Sequence, residues 1–246
     1  AGKAAMDGVL SAQLAAGGFV AVPGVLEPGG GLDRAIIQDD SVQMAAVDFS
    51  QWGILNNSFK PYAACHLTHP TIDAARALRA SNDKHIDPAH IRAARARVCE
   101  LAQQVTGRTV GRPETPLAAK FDLRYCTALA LHGHDLSAGD FDPAWSLDPH
   151  IAATAASVDT TADPDIGYTG AVLEVEIDDG RIETIEIEVA KGHPGNPIDW
   201  DDMRLKFDGL VDGHIGNRAD QLFGALRGFG DAGSLGQVRD VVRALT

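Results

Sequence analysis

Residues 173–189 read LEVEIDDGRIETIEIEV. Leu173, Val175 and Ile177 alternate with Glu174, Glu176 and Asp178, and after Asp179-Gly180 the residues Ile185, Ile187 and Val189 alternate with Thr184, Glu186 and Glu188. A period of two on both sides of an Asp-Gly pair is the pattern of a β-hairpin. Acids share one face and aliphatics the other, so one face meets water and the other packs on helices.

The flanks of the hairpin carry helical spacing. Downstream, Asp199 is placed to cap a helix with Asp202 three residues on, and Met203, Phe207, Leu210 and Val211 form its buried stripe. Val238, Val241, Val242 and Leu245 repeat that pattern in a final amphipathic helix. Upstream, Pro116 suits a first helical turn, and Ala119, Leu123, Cys126, Thr127 and Ala130 continue one helix to about Leu131. Residues 91–105 stay open between helix, favoured by Ala and Arg, and strand, favoured by topology. Residues 81–88 are a polar connector, and Ile72, Ala75, Leu78 and Arg79 mark a helix that Thr71 is placed to cap. Residues 59–70 are too irregular for a strand. Met6, Val9, Leu10 and Leu14 give the first 17 residues the stripe of a packed helix. The glycine run 29–31 is followed by no G-K-[ST] ending and preceded by no clear strand, so it reads as a connector. Helices at both ends around a mixed middle define an α+β protein, a helical body with a β-containing insert.

Composition narrows the function. The 246 residues carry 21 Lys and Arg against 34 Asp and Glu, a net charge of −13 that repels phosphate backbones and anionic lipids. Nucleic-acid and membrane-surface binding are therefore disfavoured. Hydrophobic residues at 45% fit a globular chain, and no stretch approaches the ~18 uninterrupted apolar residues of a membrane helix. Cys65, Cys99 and Cys126 are odd in number and lack C-x-x-C spacing, which fits a reducing compartment and a cytoplasmic protein. The N-terminus has no secretion signal, and its start at Ala1 inside a helical pattern reads as an internal cut or a processed end.

His66 and His69, three apart, and His132 with His134 raise a metal hypothesis, but no HExxH or cysteine-pair signature completes a ligand set. No metal site is expected. A hydrolase is disfavoured by the absence of a G-x-S-x-G elbow. Cys65, next to His66, reads either as a reactive thiol or as a small residue filling a tight turn. The dense polar set Lys60, Tyr62, His66, Thr68 and His69 is either a solvated loop or a site that binds a carboxylate and moves a proton. In the second case Lys60 supplies the point charge and His69 titrates near neutrality. Tyr125, with Lys120 and Arg124 nearby, is either an amphipathic core tyrosine or a proton donor.

Three segments read in order, FKPYAACHLTHPTIDAA (59–75), RPETPLAAKFDLRYCTALAL (112–131) and, after the hairpin, KGHPGNPIDWDDMRLKF (191–207), resemble the C-terminal half of the MmgE/PrpD family. That family includes 2-methylcitrate dehydratase, cis-aconitate decarboxylase and iminodisuccinate epimerase. The resemblance implies an all-helical domain, here 1–57 and 191–246, with an inserted α+β lid at 58–190, the active site between them, and a homodimer. It implies a lyase or isomerase acting on a small di- or tricarboxylate, by dehydration as the first reading, with no metal or organic cofactor. The family's lid lysine matches Lys60, its helix tyrosine matches Tyr125, and its threonine-histidine pair matches Thr68 and His69. Cys65 stands where the decarboxylases carry a histidine, which argues against a cis-aconitate decarboxylase. The rest of the family's pocket comes from a helical half upstream, expected here from the same or a separate chain. The rival expectation is a non-catalytic module that binds an anion or a partner.

Overall fold

The computed structural model describes residues 2–25, 31, 35–37, 39, 41, 50, 52–80, 86–108, 111–141, 148–211, 213–231 and 233–244. Its contacts fall into two units, Ala1–Trp52 and Gly53–Thr246. In the first, helix α1 (Gly2–Ala16) forms where the periodicity places it, but none of its residues is buried. The packed stripe is corrected: Met6, Val9, Leu10 and Leu14 are all exposed. Gly29 and Gly30 of the glycine run lie outside the described residues, as do 81–85 of the polar connector and Leu245.

The second unit is a mixed α+β assembly. In chain order it holds α2 (His69–Ala80), β1 (Ile91–Val98), α3 (Glu100–Thr106), α4 (Pro116–Lys120), α5 (Leu123–Leu131), α6 (Pro149–Ser157), β2 (Val158–Ala162), β3 (Ala171–Ile177), β4 (Ile182–Ile187), α7 (Trp200–Val211), α8 (Ala219–Arg227) and α9 (Ser234–Arg243). The strands form one sheet in the order β2-β1-β3-β4, with β1 parallel to β2 and antiparallel to β3, and β3 antiparallel to β4. The hairpin is β3 and β4. Gly180 sits in its turn at φ +82°, a conformation costly for any residue with a Cβ, and donates its N–H to the Ile177 carbonyl at 2.8 Å.

Residues 91–105 are both strand and helix. IRAARARV alternates as β1, and Cys99 then turns the chain into α3, its Sγ accepting the Ala102 N–H. Register explains the alternation. Ala94, Ala96 and Val98 lie opposite Val175, Leu173 and Ala171 on the buried face. On the other face Arg95 meets Glu174 at 3.4 Å and Arg92 meets Glu176 at 3.3 Å, so the hairpin acids face arginines as well as water.

Helix α2 lies on β3 and β4 and against α5, α6 packs on α5 and β1, and α3 packs on β2. Ala74, Ala75, Ala94, Ala96, Ala128 and Ala130 let the layers approach, and Ile72, Leu78, Leu123, Leu129, Leu131 and Leu173 fill the space. Each fully buried leucine stabilises the fold by about 2–3 kcal/mol.

Two helix ends correct the sequence reading. The single helix expected from Pro116 to Leu131 is two, because Asp122 interrupts it and caps α5 by accepting from Arg124 N–H at 3.0 Å and Tyr125 N–H at 3.2 Å. Thr71 is no cap. Pro70 sets a helical φ one turn earlier, so α2 starts at His69, and the Thr71 hydroxyl donates to the Thr68 carbonyl instead. The reciprocal cap of α7 holds: Asp199 Oδ1 accepts from the N–H groups of Asp201 and Asp202, while Asp202 Oδ2 accepts from Asp199 N–H. Yet none of the α7 residues is buried, because its stripe rests only partly covered, with Phe207 at 5.3 Å from Phe223 of α8. In α9 Val241 is buried and Val242 is exposed. No helix among the described residues is long and apolar enough to cross a membrane.

Candidate functional site

A cleft of about 930 Å³ opens in the second unit. One wall is the segment 60–65 with the end of α4 and residues 135–140, and the other is the Asp202, Leu205, Lys206, Gly209 and Leu210 side of α7. Backbone hydrogen bonds fix the 60–65 segment. Phe59 N–H donates to the Gly192 carbonyl, Ala63 N–H to Leu136 and Cys65 N–H to Lys120, each at 2.8 Å. Gly192 has φ +92°, and a Cβ added there would stand 2.0 Å from the Phe59 carbonyl oxygen, so only glycine fits. Leu136 is fully buried at φ +54°, a left-handed backbone that costs about 1–2 kcal/mol in a non-glycine residue.

Five cationic and three acidic side chains line the cleft. The acids are committed: Asp135 to Arg76 at 3.1 Å, Asp202 to Lys191 at 2.5 Å, and Asp140 to His134 Nδ1 at 3.0 Å and to the Ser137 N–H. Lys60, Lys120 and Lys206 have no carboxylate partner among the described residues. Their contacts are to neutral groups. Lys206 Nζ donates to the Lys60 carbonyl at 2.8 Å, Lys60 Nζ to the Ala64 carbonyl at 3.3 Å, and Lys120 Nζ sits 5.5 Å from the Phe141 ring centroid. An ammonium cluster of this kind suits a small polyanion.

Within the 60–65 wall, Tyr62 donates its hydroxyl to Asp73 Oδ1 at 2.6 Å, and Asp73 Oδ2 accepts the Lys191 N–H at 2.7 Å. Burial raises the pKa of Asp73 against these donors and raises that of Tyr62. The rings of His66 and His69 lie 4.9 Å apart. Burial, with further contributions from His66, Lys60 and Lys206, drives the His69 pKa down to about 3, while the backbone at Ala64 pulls the other way. The expectation that His69 titrates near neutrality is therefore corrected, because desolvation keeps the ring neutral.

The sequence-derived site residues divide. Lys60 and Cys65 line the cleft, whereas Thr68, His69 and Tyr125 are buried and do not. Thr68 donates its hydroxyl to the Cys65 carbonyl at 2.8 Å. Tyr125 is 2% exposed, and its hydroxyl has no hydrogen-bond partner among the described residues. Burial raises its pKa, and Asp140 of the cleft adds in the same sense. The lining lysines Lys120, Lys191 and Lys206 were not singled out as site residues from sequence. Lys206 lies four residues after Asp202 and so shares its helical face, a spacing that carries the signal. Among the described residues no cluster of three or more His, Cys, Asp or Glu has the makings of a metal site.

Fold and cleft together define a mixed α+β domain with an ammonium-edged depression between its sheet-bearing part and a C-terminal helix. The family model for the MmgE/PrpD C-terminal domain matches residues 62–226, which is more than half of the chain, and the chain belongs to that family. No curated protein matches it.

Proposed function

We propose that this domain forms the cationic part of a lyase site acting on a small di- or tricarboxylate, by dehydration of the 2-methylcitrate dehydratase kind. The observation that carries the reading is the set Lys60, Lys120 and Lys206, which among the described residues have no carboxylate partner, in a cleft of a chain whose net charge is −13. Breaking the C–H bond alpha to a carboxylate leaves its electron pair on an enolate-like dianion, which fixed ammonium groups stabilise. That pair then forms the C=C bond as the C–O bond to the beta hydroxyl breaks, and a proton donor converts the departing group to water. Lys60 holds a carboxylate. His69 and Tyr125 are buried and do not line the cleft, so the proton-donor step is given to neither of them. The base is assigned to the helical counterpart of this domain, from the same or a second chain, and the assembly is a homodimer. Epimerisation and decarboxylation are the alternatives within the family, and epimerisation shares the first step.

The test is turnover of citrate-like, aconitate-like and aspartate-derived acids by the full-length protein, followed by NMR in deuterated water. Lys60→Ala is expected to abolish both product formation and exchange of the alpha proton. Undiminished turnover in that variant overturns the assignment of Lys60. Binding without any exchange in the wild type replaces the enzyme reading with that of an anion-binding module.

A further inference from the structure

The three lysines without a carboxylate partner among the described residues come from three separate segments, which hydrogen bonds to the backbone link. Lys206 on α7 reaches the carbonyl of Lys60, and the Lys60 ammonium reaches the carbonyl of the Ala64–Cys65 peptide. The N–H of that same peptide donates to the carbonyl of Lys120 at the end of α4. One peptide unit thus has the Lys60 ammonium on its oxygen side and the Lys120 backbone carbonyl on its nitrogen side, Lys206 holds the Lys60 carbonyl, and all three side chains line the same cleft. Like charges gathered in this way repel one another. The cleft contains acids that would relieve the repulsion, but Asp135, Asp140 and Asp202 are each bonded to other residues. A ligand with one carboxylate neutralises one ammonium and leaves the others, whereas a ligand with two or three meets them from both walls.

Resting on the reading of the cleft as a polycarboxylate site, we infer that Lys120 and Lys206 are ligands for the second and third carboxylates. Together they select by carboxylate count, and Lys206 is also the positioning residue for Lys60. Lys206 therefore has two separable roles, a charge offered to the ligand and a hydrogen bond to the Lys60 carbonyl.

The experiment is calorimetric titration of the full-length protein with propane-1,2,3-tricarboxylate, pentanedioate and butanoate, none of which carries a leaving hydroxyl. The wild type is expected to prefer them in that order. Lys120→Met weakens the tricarboxylate by roughly 10- to 100-fold, the loss of one charge-assisted hydrogen bond, and barely affects butanoate, whereas Lys206→Met weakens the tricarboxylate at least as much and, through Lys60, weakens butanoate to a smaller extent. Lys206→Gln keeps a donor for the Lys60 carbonyl, so it weakens the tricarboxylate as Lys206→Met does while restoring kcat toward the wild-type value. Equal loss for all three probes, or no loss while Lys60→Met still abolishes binding, overturns the inference and leaves the functional reading intact. Failure of the wild type to bind either polycarboxylate overturns both.

Discussion

Helices α5 and α7 flank the same domain and are built on opposite principles. Eight of the nine α5 residues are buried, with Leu129 and Cys126 completely enclosed, while none of the twelve α7 residues is. Apolar packing fixes α5. Polar contacts fasten α7 beside the cleft: Lys206 on the Lys60 carbonyl and Lys191 on Asp202. No α5 residue lines the cleft, whereas α7 forms one of its walls, and the position of that wall is set by groups that themselves line the cleft.

That contrast is open to breaking. The largest effect is expected at Leu129→Ala, which empties a fully enclosed position and costs about 2–5 kcal/mol in chemical denaturation, whereas Leu205→Ala on α7 stays within about 0.5 kcal/mol. Similar losses at the two sites would mean that α7 is packed as firmly as α5. Next is the acid response of His69. Its folded pKa, about 3, lies below the unfolded value of ~6.5, so the stability it preserves is complete above pH 6.5 and is lost as pH falls toward 3. By pH 5 the loss is about 2 kcal/mol, and urea titrations at pH 7 and pH 5 should show it shrink in His69→Gln. An unchanged slope in the variant would remove His69 as its source. Smallest is Asp202→Asn, which removes a part-exposed ion pair worth about 1 kcal/mol or less. Hydrogen exchange should quicken in 200–211 and not in 123–131, and uniform acceleration would erase the distinction between the two helices.

The parts of the fold readable from sequence were those ruled by local chemistry. The period-two hairpin around Asp179-Gly180 and the Asp199/Asp202 cap both stand in the structure as their residues imply. β1 stayed ambiguous because its alternation of Ala and Arg makes sense only against β3, where Arg95 finds Glu174 and Ala96 finds Leu173. Asp122 was passed over as a helix start because Ala119 and Leu123, four apart, continue the apolar spacing across the break. At the site, Lys60 and Cys65 were readable as members of one polar segment. Lys120 and Lys206 were not, since their convergence on Lys60 depends on backbone hydrogen bonds between segments far apart in the chain. Tyr125 was legible as a residue but not as a buried hydroxyl with no partner among the described residues, a property that only packing creates.

The bond between Phe59 and Gly192 has a topological meaning beyond the shape of the cleft. The chain enters the sheet-bearing body at one and departs at the other, so both ends of that long excursion emerge at a single suture. A polypeptide whose two ends meet in this way can be grafted into a host loop or rejoined and reopened elsewhere, for instance at the exposed turn holding Gly180. Its neighbours then govern where it is carried, and its own interior governs how it folds.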